Sequence, residues 1–91
     1  MNSLQDQVAI VTGGALGIGG AISRQLAASG ARVLIADINV EAAGENVARI
    51  RSAGHVAEVQ ETDVAAGAAI RAMIERAVEL WGRLDILVNN A

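Results

Sequence analysis

The sequence predicts an α/β domain built on a parallel sheet, because short apolar runs alternate with segments of helical periodicity. Three features support this prediction: a buried strand at residues 8–11, V-A-I-V, a glycine-rich turn directly after it, and three further apolar runs that each follow a helical segment. Strands joined through helices run parallel. We expect the strand order 3-2-1-4, with helices one and two on one face of the sheet and helix three on the other.

The glycine-rich turn leads into the first helix, which we expect at about residues 19–29. Its apolar residues, Ile18 among them, share one face, and Gly30 follows at the position where glycine commonly ends a helix. The second strand, residues 32–36, ends on Asp37. This strand therefore brings a carboxylate to its carboxyl end.

The remaining elements repeat the alternation of helix and strand. Asn39 is suited to cap a second helix, in which apolar residues recur between positions 40 and 50. Residues 55–62 alternate poorly, which predicts a strand at the sheet edge with one wet side. Helix three has the clearest periodicity, over residues 70–81, and D-I-L-V at residues 85–88 predicts the fourth strand.

Composition limits the function classes. The 91 residues are enough for one small domain, and the net charge of −3 with seven scattered Arg and no Lys predicts no nucleic-acid surface. The absence of Cys excludes a thiolate metal site and fits a reducing compartment, and we expect no metal centre. No apolar run approaches the length of a membrane span, so we expect a soluble cytoplasmic protein.

The stretch T-G-G-A-L-G-I-G at residues 12–19 predicts a phosphate-binding turn. Glycines let the backbone turn sharply and approach a ligand, and the free N–H groups at the following helix start attract an anion. A Walker A loop is excluded because Gly20 and Ala21 stand where that loop requires Lys and Ser or Thr, and the G-x-G-x-x-G fingerprint is also missing. The alternative is an ordinary glycine-rich loop.

Asp37 lies 24 residues after Gly13, close to the spacing expected for an acid that accepts hydrogen bonds from an adenosine ribose. A carboxylate at this position repels a 2′-phosphate. The neighbours best placed to offer a compensating base, Ala15, Leu16 and Ile38, are all apolar. The residues therefore favour NAD over NADP, and the alternative is that Asp37 only caps helix two.

Further polar residues follow strands three and four. Asp63 can accept from an adenine amino group while the backbone of Val64 meets the ring, or Asp63 can cap helix three. Asn89 and Asn90 can bind a cofactor ribose, tie neighbouring strands together or form a turn. His55, the only histidine, is interpreted as a solvated loop residue.

These motifs, with W-G-R-L-D-I-L-V-N-N-A at residues 81–91, together resemble the N-terminal half of a short-chain dehydrogenase/reductase with a Rossmann-type sheet. The resemblance covers nearly the whole chain, with four motifs in order. In that family the glycine loop holds the pyrophosphate and its ribose, while the later motifs hold the adenosine ribose, the adenine and the nicotinamide side. The resemblance implies that NAD is bound by Gly13, Leu16, Gly17, Ile18, Gly19, Asp37, Asp63, Val64 and Asn90.

The departures from the family are as informative as the match. Family members are much longer, and their hydride chemistry resembles that of a Tyr assisted by Lys, Ser and a further Asn, all beyond the matched half. This chain contains no Tyr and no Lys. We therefore expect no catalytic residue here, and we interpret residues 1–91 as the N-terminal dinucleotide-binding part of a Rossmann domain, truncated after strand four.

Three interpretations remain open. The chain is a fragment of an NAD-dependent oxidoreductase that acts on an alcohol or carbonyl substrate, a free-standing nucleotide-binding module, or a ligand-free interaction fragment. In each case we expect binding at best, without turnover. Because residues 86–88 are apolar on both faces and their outer edge has no partner strand, we also expect a homo-oligomer paired through strand four in antiparallel fashion.

Overall fold

The computed structural model describes residues 3–90 and contains four strands and three helices in that range. In chain order the elements are β1 (Val8–Thr12), α1 (Gly17–Ala28), β2 (Arg32–Asp37), α2 (Val40–Ser52), β3 (Val56–Glu61), α3 (Gly67–Trp81) and β4 (Ile86–Asn89). Each helix lies between two strands, so the predicted alternation is confirmed.

The four strands form one parallel sheet in the order β3-β2-β1-β4, which confirms the predicted topology. Because all strands run the same way, their carboxyl ends meet at one side of the sheet. We call this side the carboxyl edge; the strands end there at Thr12, Asp37, Glu61 and Asn89. The opposite side, the amino edge, begins at Val8, Arg32, Val56 and Ile86.

The helices cover both faces of the sheet as expected. One core cluster joins α1 and α2 to one face and contains Val11, Ala15, Ala27, Ala31, Val33, Ile35, Ala43, Val47, Ile50 and Ala57. The other cluster joins α3 to the opposite face and contains Val8, Ile10, Leu34, Ala36, Met73 and Ala77. Strand β1 is buried on both faces, as its unbroken apolar sequence predicts.

Helix α1 begins two residues earlier than predicted, at Gly17, because the N–H of Gly20 donates to the carbonyl of Leu16 and closes the first helical turn there. Ile18 is 76% exposed, so the prediction that it joins the apolar core face is wrong. It lies in the first turn of α1 at the carboxyl edge, past the end of β1. The predicted stop after the helix is confirmed, since Gly30 has φ +102°.

The two outer strands differ from the buried centre. On β3, Val56 is 45% exposed while Ala57 is 1% exposed, which confirms an edge strand with one wet side. On β4, Leu87 is 51% exposed, and within residues 3–90 only β1 pairs with this strand. Among the helices of this range, none combines the length and apolarity needed to cross a membrane.

Candidate functional site

The turn between β1 and α1 leaves hydrogen-bond donors facing outward. Gly17 has φ +58°, a left-handed conformation that glycine adopts without a Cβ clash. The N-cap residue of α1, Leu16, makes no side-chain capping bond. The hydrogen bonds found within residues 3–90 leave the N–H groups of Gly17, Ile18 and Gly19 without an acceptor. An anion at this helix start would supply one.

The outer surface of this turn is open. A Cβ added to Gly17 would meet no atom within 4 Å. Leu16 is 63% exposed and Ile18 is 76% exposed, so both apolar side chains border the same open space. A ligand that approaches the helix start therefore meets backbone N–H groups flanked by aliphatic surface.

Gly19 faces the opposite way, into the packed underside of the turn. A Cβ at this position would collide with the carbonyl oxygen of Gly13 and with Nδ2 of Asn90, and would lie 2.9 Å from the carbonyl carbon of Gly13. The missing side chain lets α1 begin directly against the turn. Packing within the protein therefore requires glycine at position 19.

Asp37 ends β2 with its carboxylate against the turn. Oδ2 accepts from the N–H of Ala15 at 3.1 Å, and Oδ1 accepts from the N–H of Asn39 at 2.9 Å. The cap of α2 is instead Asn39, whose Oδ1 accepts from the N–H of Ala42 at 3.1 Å. The alternative that Asp37 caps helix two is therefore wrong. Asp37 makes no ion pair among the described residues.

Asp63 and Val64 lie in the loop after β3. Oδ1 of Asp63 accepts from the N–H of Ala65 at 3.0 Å, while the N-cap of α3 is Ala66, so Asp63 forms a local turn and does not cap the helix. A cleft of about 110 Å3 brings four of the predicted residues together, namely Gly13, Asp37, Asp63 and Val64. It is lined by Gly13, Ala36, Asp37, Ile38, Thr62, Asp63 and Val64.

Asn89, the last residue of β4, and Asn90, which follows it, tie this strand to β1. Oδ1 of Asn89 lies 3.2 Å from Oγ1 of Thr12, which donates to it. The backbone N–H of Asn90 donates to the same hydroxyl at 3.0 Å, and Nδ2 of Asn90 donates to the carbonyl of Gly13 at 3.2 Å. Of the three roles left open by the sequence, the tie between strands is the one visible here.

His55 lies far from these groups, in the loop that precedes β3 at the amino edge. It lines a separate cleft with Gln5 and Gly30. Within residues 3–90, no three His, Asp or Glu side chains are grouped closely enough to hold a metal ion. His55 is therefore separated from the predicted cofactor residues, which lie at the carboxyl edge.

Sequence reasoning missed three residues beneath the turn. Gly14 has no room for a Cβ, which would lie 2.8 Å from Oγ of Ser23 and 2.9 Å from the carbonyl of Val11. Ser23 is fully buried, and Asn46 on α2 is 3% exposed. Nδ2 of Asn46 donates to the carbonyl of Gly14 at 2.9 Å, and Oγ of Ser23 lies 3.3 Å from the same carbonyl. The sequence contained one indication of this role, because Asn46 is a polar residue beside Val47 on the otherwise apolar face of α2.

The chain was compared with protein families and with known proteins. The family model described as short chain dehydrogenase matches residues 7–91. The chain therefore belongs to the short-chain dehydrogenase family, as its resemblance predicted.

Individual relatives support this family assignment. An uncharacterized oxidoreductase of Thermotoga maritima is 42% identical over 88 residues, which is 97% of this chain and 34% of the relative. The 3beta-hydroxysteroid dehydrogenase 2 of Eggerthella lenta is 39% identical over the same share of each chain. The chain thus spans about a third of the length of the curated relatives it matches.

Solved structures share the fold. The crystal structure of a dehydrogenase/reductase from Sinorhizobium meliloti 1021 superimposes with a TM-score of 0.95 at 43% identity, over 98% of this chain and 36% of that one. A hydroxysteroid dehydrogenase from Escherichia coli gives a TM-score of 0.94 at 38% identity, over 97% and 37% of the two chains. The sheet and helices are therefore those of a Rossmann-type dehydrogenase.

Proposed function

We propose that residues 1–91 are the NAD-binding part of an oxidoreductase that transfers hydride between NAD(H) and an alcohol or carbonyl substrate. The observation that carries the proposal is the carboxylate of Asp37, held at the carboxyl edge beside the N–H of Ala15. A carboxylate held in this way keeps further lone pairs that can accept hydrogen bonds from the hydroxyls of a ribose diol.

The turn fits the rest of a dinucleotide. The unpartnered N–H groups from Gly17 to Gly19 suit a pyrophosphate, and the open space above Gly17 leaves room for it. The cleft along Asp63 and Val64 suits a flat base. Leu16 and Ile18 offer apolar contact beside the phosphates, and we place Asn90 at the nicotinamide side.

The choice of NAD over NADP rests on charge. The cleft around Asp37 is lined by no Arg, and a 2′-phosphate there would face the carboxylates of Asp37 and Asp63. Arg24 and Arg49 line a neighbouring groove between α1 and α2, but the guanidinium of Arg24 already donates to Oδ1 of Asn46. We propose that these cations lie outside the reach of the adenosine ribose.

Bound NAD would accept the hydride that an alcohol releases when it becomes a carbonyl compound. The roles we propose for this chain are to hold and orient the cofactor. Transfer of the accompanying proton needs a positioned acid or base, and the chain has no Tyr or Lys, while Ser23 is buried beneath the turn. We propose that the 91-residue chain binds NAD without turnover and, because it lacks Cys, that it works in the reducing cytoplasm.

Calorimetric titration with NAD and NADP tests the cofactor. We expect the wild type to bind NAD at least about tenfold more tightly than NADP, and Asp37→Ala to lose most of this preference, since a charge-assisted hydrogen bond contributes roughly 1.5–3 kcal/mol. Asp6→Ala, an exposed aspartate in the segment before β1, is the matched control and should keep the preference. Equal affinity of the wild type for the two cofactors would contradict the proposal.

We also propose that, in a chain of 91 residues, two copies pair along β4. Its edge away from β1 has no partner strand within residues 3–90, Leu87 on this strand is exposed, and exposed Ile70 lines a cleft with it. Antiparallel pairing would satisfy both edges around one two-fold axis. Sedimentation at rising concentration should show a dimer, and Leu87→Lys should weaken it. A compact monomer at every concentration would refute this assembly.

A further inference from the structure

We propose that Asn46, on α2, is a positioning residue that holds the carbonyl of Gly14 inward and thereby directs the N–H of Ala15 to the carboxylate of Asp37, which it fixes at the ligand side of the turn. The inference deepens the proposed NAD site and rests on it. Asn46 belongs to none of the sequence motifs, and it is 3% exposed, so it acts from beneath the turn without touching the ligand.

The amide of Asn46 has three partners. Nδ2 donates to the carbonyl of Gly14 at 2.9 Å and to the carbonyl of Gly20 at 3.3 Å, while Oδ1 accepts from Nη1 of Arg24 at 3.0 Å. A guanidinium only donates and a carbonyl only accepts. Turning the amide over would place donor against donor and acceptor against acceptor, so its partners permit one orientation.

Ser23 does not replace this donor. Its hydroxyl lies 2.9 Å from the carbonyl of Gly19 and 3.3 Å from that of Gly14. Because a hydroxyl has a single hydrogen, the shorter contact favours Gly19. Asn46 is therefore the principal donor to the carbonyl of Gly14.

The peptide group between Gly14 and Ala15 transmits the effect. It is trans, so its C=O and N–H point in opposite directions. With the carbonyl held against Asn46, the N–H of Ala15 points to Oδ2 of Asp37, 3.1 Å away. This hydrogen bond holds the carboxylate of Asp37 where a ribose hydroxyl can donate to it. Without Asn46 the peptide loses its principal buried hydrogen bond, and the contact that positions Asp37 is weakened.

The test compares Asn46→Leu with Val47→Ala. Leucine approximates the shape of asparagine but removes its hydrogen bonds, whereas Val47, 4% exposed on the same helix, contacts the core and makes no polar contact with the turn. For each variant we would measure hydrogen exchange of the Ala15 amide by NMR and NAD affinity by calorimetry. Loss of stability alone raises exchange at all core amides together.

For Asn46→Leu we expect exchange at Ala15 to accelerate about tenfold relative to the amides of β1, and NAD to bind about tenfold more weakly, because a buried carbonyl loses its donor. Val47→Ala should change hydrogen exchange at Ala15 and at the amides of β1 by the same factor, and it should alter NAD affinity less than about twofold. Arg24→Met removes the donor to Oδ1 of Asn46 but keeps the Asn46 amide. It should accelerate exchange at Ala15 and weaken NAD binding by about threefold each. It carries the test if Asn46→Leu does not fold.

Selective exchange at Ala15 with weaker NAD binding supports the inference. Unchanged exchange at Ala15 in the folded variants, a change no more selective than that of Val47→Ala, or accelerated exchange with NAD affinity intact would each overturn it. A wild type that fails to bind NAD would refute the proposed function instead, and the exchange data would still decide whether Asn46 holds the turn.

Discussion

The two edges of the sheet each carry an aspartate beside a strand, and the two carboxylates have different partners. At the amino edge, Asp85 accepts from the N–H of Val8 at 2.9 Å and from Nε and Nη2 of Arg83 at 2.8 and 2.9 Å. At the carboxyl edge, Asp37 accepts only from the backbone N–H groups of Ala15 and Asn39. The first carboxylate has a cation of its own, and the second does not.

This difference in partners indicates a structural role for Asp85 and supports the proposed ligand-binding role of Asp37. The hydrogen bond from Arg83, followed by that from the Val8 N–H, lowers the pKa of the Asp85 carboxyl below its ordinary value, and the same contact raises the pKa of Arg83. Asp85 therefore joins β4 to β1 as a neutralised pair. Asp37 borders an open cleft and forms no ion pair within residues 3–90, so its carboxylate oxygens are accessible to a ligand hydroxyl.

The largest expected effect concerns the turn at the carboxyl edge, where Gly17 faces open space and Gly19 faces packed atoms. Gly19→Ala forces a methyl group into the carbonyl of Gly13, and we expect a loss of about 3 kcal/mol in the free energy of unfolding. Gly17→Ala faces open space and carries only the strain of a left-handed residue, about 1 kcal/mol. Its methyl group lies where the phosphates would approach, so NAD should bind about tenfold more weakly.

Urea unfolding and NAD titration of both variants measure the two effects. Gly44→Ala on the exposed face of α2 is the control, because no atom lies within 4 Å of the added Cβ and the helix should gain roughly 0.5–1 kcal/mol. Equal destabilisation by the Gly17 and Gly19 substitutions would remove the distinction between the open and packed sides of the turn. Normal NAD affinity in folded Gly17→Ala would count against the phosphate site.

A smaller effect concerns the amino edge and depends on pH. Because the folded pKa of Asp85 lies below its unfolded value, its charge stabilises the fold above the ordinary pKa of an aspartate, about 4, and this contribution is lost as pH falls through the folded pKa. Asp85→Asn should therefore lower the Tm at pH 7, and the gap to the wild type should narrow as the pH decreases below about 4.

Asp6→Asn is the matched control at this edge, since Asp6 pairs with Arg32 at 3.4 Å with 61% of its side chain exposed. An exposed pair of this kind contributes little, so we expect a Tm close to that of the wild type. Thermal unfolding between pH 3 and 7 provides the comparison. A constant Tm gap between wild type and Asp85→Asn over this range would show that the charge of Asp85 does not stabilise the strand junction.

The sequence by itself predicted the parallel sheet and brought the residues of the candidate site to one edge of it. The unbroken apolar run of β1 requires burial on both faces, and helices between strands require parallel pairing, so Asp37 and the glycine turn had to meet at one edge. These are local patterns, and period and spacing are enough to read them. Single helix boundaries were less certain, as the early start of α1 at Gly17 shows.

Only the tertiary structure decided what each polar residue contacts. The sequence left open that Asp37 caps helix two and that Asp63 caps helix three, and the positions of Asn39 and Ala66 as the N-cap residues excluded both alternatives. Asn46 lies 32 positions from Gly14 in sequence, and its hydrogen bond exists because α2 packs beside α1 on the same face of the sheet. Contacts between distant segments depend on how helices pack, and neither periodicity nor a local motif encodes that packing.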